Sequence, residues 1–474
     1  VSTFSGLNTA LSGLNAARTG LNVVGQNLTN VNTAGYTRQR AELSAVGMPA
    51  NGSLFDVGVK PGQGVNVTGI SRLGDTFLDA RVRTAFSSAG YTSARADALT
   101  QIQDRMKEPG TEAISGQLHS FWAAWGDISN HAGETASTAK LLGSANSLAQ
   151  NISEGYRALD NQWSQTRGRA DMLVQEVNTT AGQIASLNDQ IRSAAATGHP
   201  SNELIDQRNT LTAKISQLTG GTVRDLPNGD NEILVGGNVL VSGKQVNTLK
   251  VAGPNTMSEG KPVQLEWERR PGVAVDLDGG QLAGTLSVLG PANAGKTGGV
   301  IAETAAEYDR LAEKLAKQVN DIHTTAFKAD GTLGDPFFGF KPGSGPGAAM
   351  RLEVKAQGPA DIATSGSASN ALNGSKADEI FKLGSAKDSP DAKWTETVLT
   401  TGAAVRVGLQ QDVAAGTSLT NAMAAQQSNA SVDIDEENVN LLSYTHAYQA
   451  ASRVMTAIDE ALDVLINQTG RVGR

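Results

Sequence analysis

Two apolar stripes, one at each end of the 474-residue chain, constrain its fold more than any other feature. Near the start, Leu7, Leu14, Leu21 and Leu28 recur every seven residues, with Phe4, Leu11, Val24 and Val31 beside them. Near the finish, Leu441, Tyr444, Tyr448, Ala451, Met455, Ile458, Leu462 and Leu465 alternate steps of three and four. Such spacing gathers apolar side chains on one helix face, and a period near 3.5 suits packing against a second helix. Asp433, Asp435, Glu436 and Glu437 stand where the last helix should begin, at the positive end of its dipole. Isolated helices of this kind are marginal in water, so each stripe needs a neighbour.

Between the stripes, helical and β blocks alternate. An extended, Gly-rich stretch over 41–69 leads to helical patterns over 75–106, 112–131 and 135–196, the last ending at Gly198 and Pro200. A shorter helical pattern over 202–218 stops at Gly220-Gly221. The period then drops to two. "NEILVGGNVLVSG", "VQLEW", "GVAVDL" and "LAGTLSVL" read as strands, carrying a β block to Leu289. Helices are expected again over 302–327 and 394–429, separated by a Gly- and Pro-rich loop and a short mixed block. Helical material thus encloses β material, and the two ends of the chain should meet.

Charge is distributed to match. The net charge of −8 argues against duplex nucleic acid as a partner, since phosphates require clustered Lys and Arg. No acid precedes Glu42, whereas Arg18, Arg38 and Arg40 make the first 41 residues positive. From Thr401 onward there are eight acids and four arginines, so the ends are opposite in sign. No apolar run approaches the 18 or so residues of a membrane span, so membrane insertion is not expected. No basic segment followed by an apolar one suggests a cleaved signal. Cysteine is absent, which rules out disulfides and Cys-containing metal sites.

One motif points to chemistry. "GPANAGKT" satisfies the phosphate-binding pattern G-x-x-x-x-G-K-[ST] through Gly290, Gly295, Lys296 and Thr297. In a working loop of that kind, backbone N–H groups cradle phosphates at a helix start and the Lys reaches the outer ones. The strand-like run 281–289 before it fits, but Gly298 and Gly299 weaken the helix that should follow. No apolar run ending in an acid follows to hold Mg²⁺, and Asp276 in "GVAVD" precedes the loop. The match therefore reads as a chance pattern in a connector, and a nucleotide-binding protein is the alternative from another class. The five histidines, at 119, 131, 199, 323 and 446, lack ligand spacing, and no Ser lies in a nucleophile-elbow setting. Neither a metal, a cofactor nor a catalytic residue is expected.

The stretch from Gly6 to Arg40 resembles the N-terminal segment of bacterial flagellar rod, hook and hook-associated proteins, through Asn27, Asn30, Asn32, Gly35 and Tyr36 at its helix exit. "NLLSYTHAYQAASRVMTAIDEALDVLINQ" is similar to their matching terminal helix. "YTRQR", "FWAAWGDISN" and "NELIDQRNTLTAKISQLTG" look like the hook-associated members, as do "GGQLAGTLSVL" and "LAKQVNDIHTTAF". Another axial protein, such as a hook protein or a flagellin, is the alternative within that class.

The resemblance implies a structural, non-enzymatic, multidomain α+β protein of the extracellular flagellum. It would connect the hook to the flagellin filament, be needed for filament assembly, and leave the cell by type III export without a cleaved signal. It would carry a coiled-coil-like terminal domain (1–40 with 432–474) and a mainly helical domain (41–220, 290–329 and 390–431). The β-rich outer domain would be 221–289, together with 330–389. Expected partners are further copies of itself, the hook protein, the second junction protein and an export chaperone on the C-terminal helix. Assembly should then use Leu7, Leu14, Leu21, Leu28, Leu441, Tyr448, Met455 and Leu462.

Overall fold

The computed structural model describes residues 3–47, 62–343 and 347–468. Parts of the expected extended stretch over 41–69, of the Gly- and Pro-rich loop, and of the terminal segments at 1–2 and 469–474 lie outside the described residues.

The first helix, α1 (Thr3–Thr29), lies antiparallel against the last, α11 (Ile434–Asp463), which a short π-helical turn extends from Val464 to Gln468. α11 begins where its acidic run suggests. The Asp433 carboxylate accepts the backbone N–H of Asp435 and Glu436, satisfying donors that have no partner within the helix. After α1, strands β1 (Gln39–Ala45) and β2 (Val65–Arg72) form an antiparallel ribbon that packs on α1.

Four helices follow: α2 (Thr76–Met106), α3 (Ile114–Asn130), α4 (Thr135–Ala196) and α5 (Asn202–Thr219). Their bounds follow the sequence pattern closely because each has a clear stop or start. Asp75 caps α2, and Gly220 at φ +72° ends α5 in the left-handed region that a Cβ disfavours. The 62 residues of α4 make a spine about 93 Å long.

Two antiparallel sheets dock on this spine. One orders β3 (Thr222–Asp225), β4 (Asn231–Val235), β5 (Asn238–Ser242) and β6 (Gln245–Val246). The other orders β7 (Leu249–Ala252), β8 (Gln264–Trp267) and β9 (Arg270–Ala274). Two asparagines of α4 hold them. Asn178 exchanges both hydrogen bonds with the Leu249 backbone (2.8 and 2.9 Å), as a neighbouring strand residue would. Asn188, fully buried, donates to Asn231 O and Gly243 O and accepts from Asn231 N and Arg208.

The strand expected over 281–289 is a helix, α6 (Gly280–Ser287). Leu282, Thr285 and Leu289 carry the helical spacing, and all three are buried. Thr, Leu and Val suit a strand, and in so short an apolar window helix and strand share one pattern. α6 lies close on α2 and α5, with Gly90, Gly280 and Gly284 allowing backbones to approach where a Cβ would overlap.

α7 (Val300–His323) and α10 (Pro390–Ala430) complete the helical layer, α10 running along α2. Between them lie β10 (Phe338–Phe340), α8 (Ala348–Arg351), β11 (Leu352–Val354) and α9 (Ser375–Leu383). Among the described residues of 330–389, β10 pairs with β11, and this segment packs on α3, α4 and α7. Its aromatics explain why: Phe337 and Phe338 join Phe121, Trp122 and Trp125 in one cluster with ring centroids 4.9–6.4 Å apart. The "FWAAWGDISN" block is thus core. The architecture is multidomain α+β.

Candidate assembly site

Along the α1–α11 pair the closest approach is not made by the leucines. It is made by glycines spaced seven apart. A Cβ on Gly6 would lie 3.2 Å from Ile458 Cδ1, one on Gly13 3.9 Å from the Ala451 Cβ, and one on Gly20 would overlap the Tyr444 ring. Each step of seven forward on α1 is matched by seven backward on α11. Ala10, Ala17 and Val24, one turn further on, are buried beside them. Small residues let the two backbones draw near, and larger α11 side chains fill the space.

The leucines sit one position round. Leu7, Leu14, Leu21 and Leu28 are half-buried, and Leu11 is 45% exposed. On α11, Leu441, Met455 and Leu462 are half-buried and Tyr448 is exposed. The leucines therefore mark the margin of the pair, whereas Tyr444, Ala451 and Ile458 of the α11 stripe face the seam, and the Gly6–Gly13–Gly20 repeat immediately before each leucine is the signal that reveals its α1 side.

The next step of seven reaches a polar rung. Asn27 Nδ2 donates to Glu437 Oε2 at 3.1 Å, and both residues are 1% exposed. Asn27 has every side-chain valence filled. Its amide also donates to Gln39 O (2.9 Å), while its oxygen accepts from Gln39 N (3.0 Å) and the Tyr36 hydroxyl (2.9 Å). Burial, with Glu203, Asp206 and Glu437 nearby, pushes the Tyr36 phenol up to about 12, which keeps it a donor.

Glu437 is balanced by Arg38, whose guanidinium lies 2.7–2.8 Å from Oε1 and also reaches Glu436. Burial alone would lower the Arg38 pKa, but the hydrogen bonds to Glu436 and Glu437 outweigh it and raise it. The opposite charges of the two chain ends meet here.

The rest of the helix-exit motif divides by role. Asn30 turns the chain, donating to Gln26 O and accepting from the Thr33 hydroxyl. Gly35 adopts φ +81°, and a Cβ there would meet the Thr210 hydroxyl at 2.7 Å. Asn32 is exposed. Beyond Tyr36 the chain is held by α5: Thr37 N donates to Asp206, Arg72 pairs with Asp206 at 2.6 Å, and Gln39 bonds Glu203 and Asn202. Burial pushes the Asp206 carboxyl up, against the pull of Arg72. "YTRQR" and "NELIDQR", far apart in sequence, are thus two halves of one joint.

The phosphate-loop pattern lies elsewhere, between α6 and α7. Its groups face carboxylates. Asn293 N and Gly298 N donate to Glu303 Oε1 (2.8 and 3.1 Å), and Lys296 pairs with Glu307 at 2.6 Å. Lys296 itself is at φ +54°, and the element before the loop is a helix rather than a strand. Among the described residues, no three His, Asp or Glu side chains gather as metal ligands, and no helix is long and apolar enough to cross a membrane.

Three family profiles match in chain order. Residues 7–37 match the flagella basal body rod protein, and 425–468 match the flagellar basal body rod FlgEFG protein C-terminal region. Residues 99–338, half of the chain, match the flagellar hook-associated protein FlgK helical domain. The chain belongs to the flagellar hook-associated protein FlgK family. It is a hook-associated component of the flagellum. Flagellar hook-associated protein 1 of Bacillus subtilis is 29% identical to it, with all of both chains covered. The proteins of that name from Escherichia coli and Salmonella typhimurium are 29% and 30% identical over 70% of this chain. The chain spans 59% and 58% of the length of those two relatives. A solved flagellar hook junction protein FlgK from Burkholderia pseudomallei superposes with a TM-score of 0.47 at 22% identity, covering 55% of this chain and 47% of that one.

Proposed function

We propose that the chain is a non-catalytic junction subunit that joins hook to filament, and that filament assembly depends on it. One observation carries the reading. α11 runs for 30 residues with Glu437 as its only buried side chain among those described, while Val439, Leu442 and Val454 are 50–66% exposed. A helix this apolar, with one partner, leaves surface that water disfavours. Further copies of the chain are the occupants that fit: the outward side of α1 carries Arg18, and the distal part of α11 carries Asp459, Glu460 and Asp463. The hook protein and a second junction protein would flank this ring of copies, an export chaperone would cover α11 beforehand, and delivery would be extracellular. The domain division follows the same reading: α1 with α11 at the axis, the long helices outside them, and the two sheets docked on α4 outermost.

Purified Leu11→Asp protein, mixed with isolated hooks, tests this. Leu11 is exposed in the single chain, so its melting should stay close to that of the parent while hook binding drops. Equal binding by parent and variant would mean that this face is not the assembly surface.

A further inference from the structure

A heptad ladder has an ambiguity built into it. Gly6, Gly13 and Gly20 face Ile458, Ala451 and Tyr444. If α11 moved by seven residues, Gly13 would receive Tyr444 and Gly6 would receive Ala451. Each glycine offers the same open face, so the seam accepts either register. The leucines, also seven apart, return to equivalent positions. Neither repeat selects one alignment.

The polar rung breaks the equivalence. Asn27 and Glu437 continue the ladder by one more step on each helix, and both are almost wholly inaccessible. We infer that the Asn27–Glu437 pair is the register lock of α1 against α11, with Arg38 as its counter-charge. In the shifted alignment Glu437 would face Gly20 and lose Asn27. Asn27 in turn would lose its only α11 partner. A buried polar residue at one core position is a known way of fixing register in paired helices, because misalignment leaves its hydrogen bonds unmade. The lock also ties register to the remainder of the protein. Asn27 bonds both backbone groups of Gln39, and Gln39 reaches α5 through Asn202 and Glu203. The alignment of the terminal pair is thereby transmitted to the helical layer. Asn27 and Glu437 are positioning residues, and the inference stands whether or not the outer face of α11 is the assembly surface.

The chain has no cysteine, so introduced pairs report register directly. Gly13→Cys with Ala451→Cys probes the observed rung, where the Cβ positions are 3.9 Å apart. Gly6→Cys with Ala451→Cys probes the shifted one. In the observed register that second pair is offset by about 10 Å along the helices, beyond disulfide reach. Both pairs are placed in the parent and in Asn27→Leu/Glu437→Leu, and oxidised in dilute full-length protein so that only intramolecular bonds form. The parent should link at the observed rung alone. In the double variant, linking at the shifted rung should rise about tenfold. Glu437→Gln keeps the shape and one acceptor oxygen, which can still take the Asn27 amide while Arg38 remains paired with Glu436, and should link as the parent does. Should the double variant fail to fold, Asn27→Ala/Glu437→Ala carries the same expectation, since it also empties the rung on both helices. Linking confined to the observed rung in a folded apolar variant would overturn the inference, leaving the β1–β2 ribbon and the short α10–α11 turn to set the register.

Discussion

The ring of Tyr444 lies across Gly20 with no space for a Cβ between them. Gly13, one step back on the same seam, has only ordinary contact with Ala451. The same substitution should therefore have opposite effects at the two sites. Gly13→Ala should be neutral or gain up to about 1 kcal/mol of local helix stability from propensity. Gly20→Ala should lose about 1–3 kcal/mol through overpacking. Hydrogen exchange along α1 reads both, and equal effects would show that the seam is looser than the distances state.

Arg38 touches two carboxylates of very different exposure. Glu436 is 62% exposed and Glu437 2% at the side chain. Glu436→Ala should change stability by less than about 0.5 kcal/mol. Arg38→Ala leaves a buried charge without its counter-ion and should cost about 3 kcal/mol or more. Exchange protection at the start of α11 should fall in the second variant alone.

Lys296→Ala should cost no more than about 1 kcal/mol, because its pair with Glu307 is half-exposed and Arg310 still meets that carboxylate. Calorimetry with MgATP should give no saturable heat in parent or variant. Saturable binding that vanishes in Lys296→Ala would reverse the reading of Gly290 to Thr297 as a connector.

Acidification should act on buried His323 and half-buried Asp309 in opposite senses. His323 donates from Nδ1 to Asp335 O (2.6 Å) and accepts Ala363 N at Nε2 (3.0 Å), and burial lowers its pKa. Below about pH 6.5 the unfolded chain binds a proton that folded His323 resists, so its contribution falls as pH drops. Burial raises Asp309 to about 6. Between that value and about 3.9, its unfolded pKa, the folded state binds the extra proton, and its contribution rises as pH drops. Asp309→Asn should therefore lose stability more steeply than the parent from pH 6.5 to 4, and His323→Gln less steeply. Urea midpoints across that range measure this; three parallel curves would exclude both assignments.

The sequence by itself determined the long helices and their order. Thr135–Ala196 and the start of α11 were legible because periodicity, caps and stop residues act within a few positions of one another. It also determined that the two ends belong together, since each stripe demands a partner and their charges are opposite. Tertiary structure decided which faces meet. Leucine is the louder signal, yet the seam is glycine, because closeness of two backbones depends on what each position lacks, which only the opposing helix can use. It decided α6 likewise: a short apolar run is ambiguous alone, and packing on α2 and α5 selects the helix. And it decided the Asn27–Glu437 rung, whose partners are 410 positions apart along the chain. No local pattern encodes that pair; it forms only once α1, β1 and α11 converge and exclude water from both side chains.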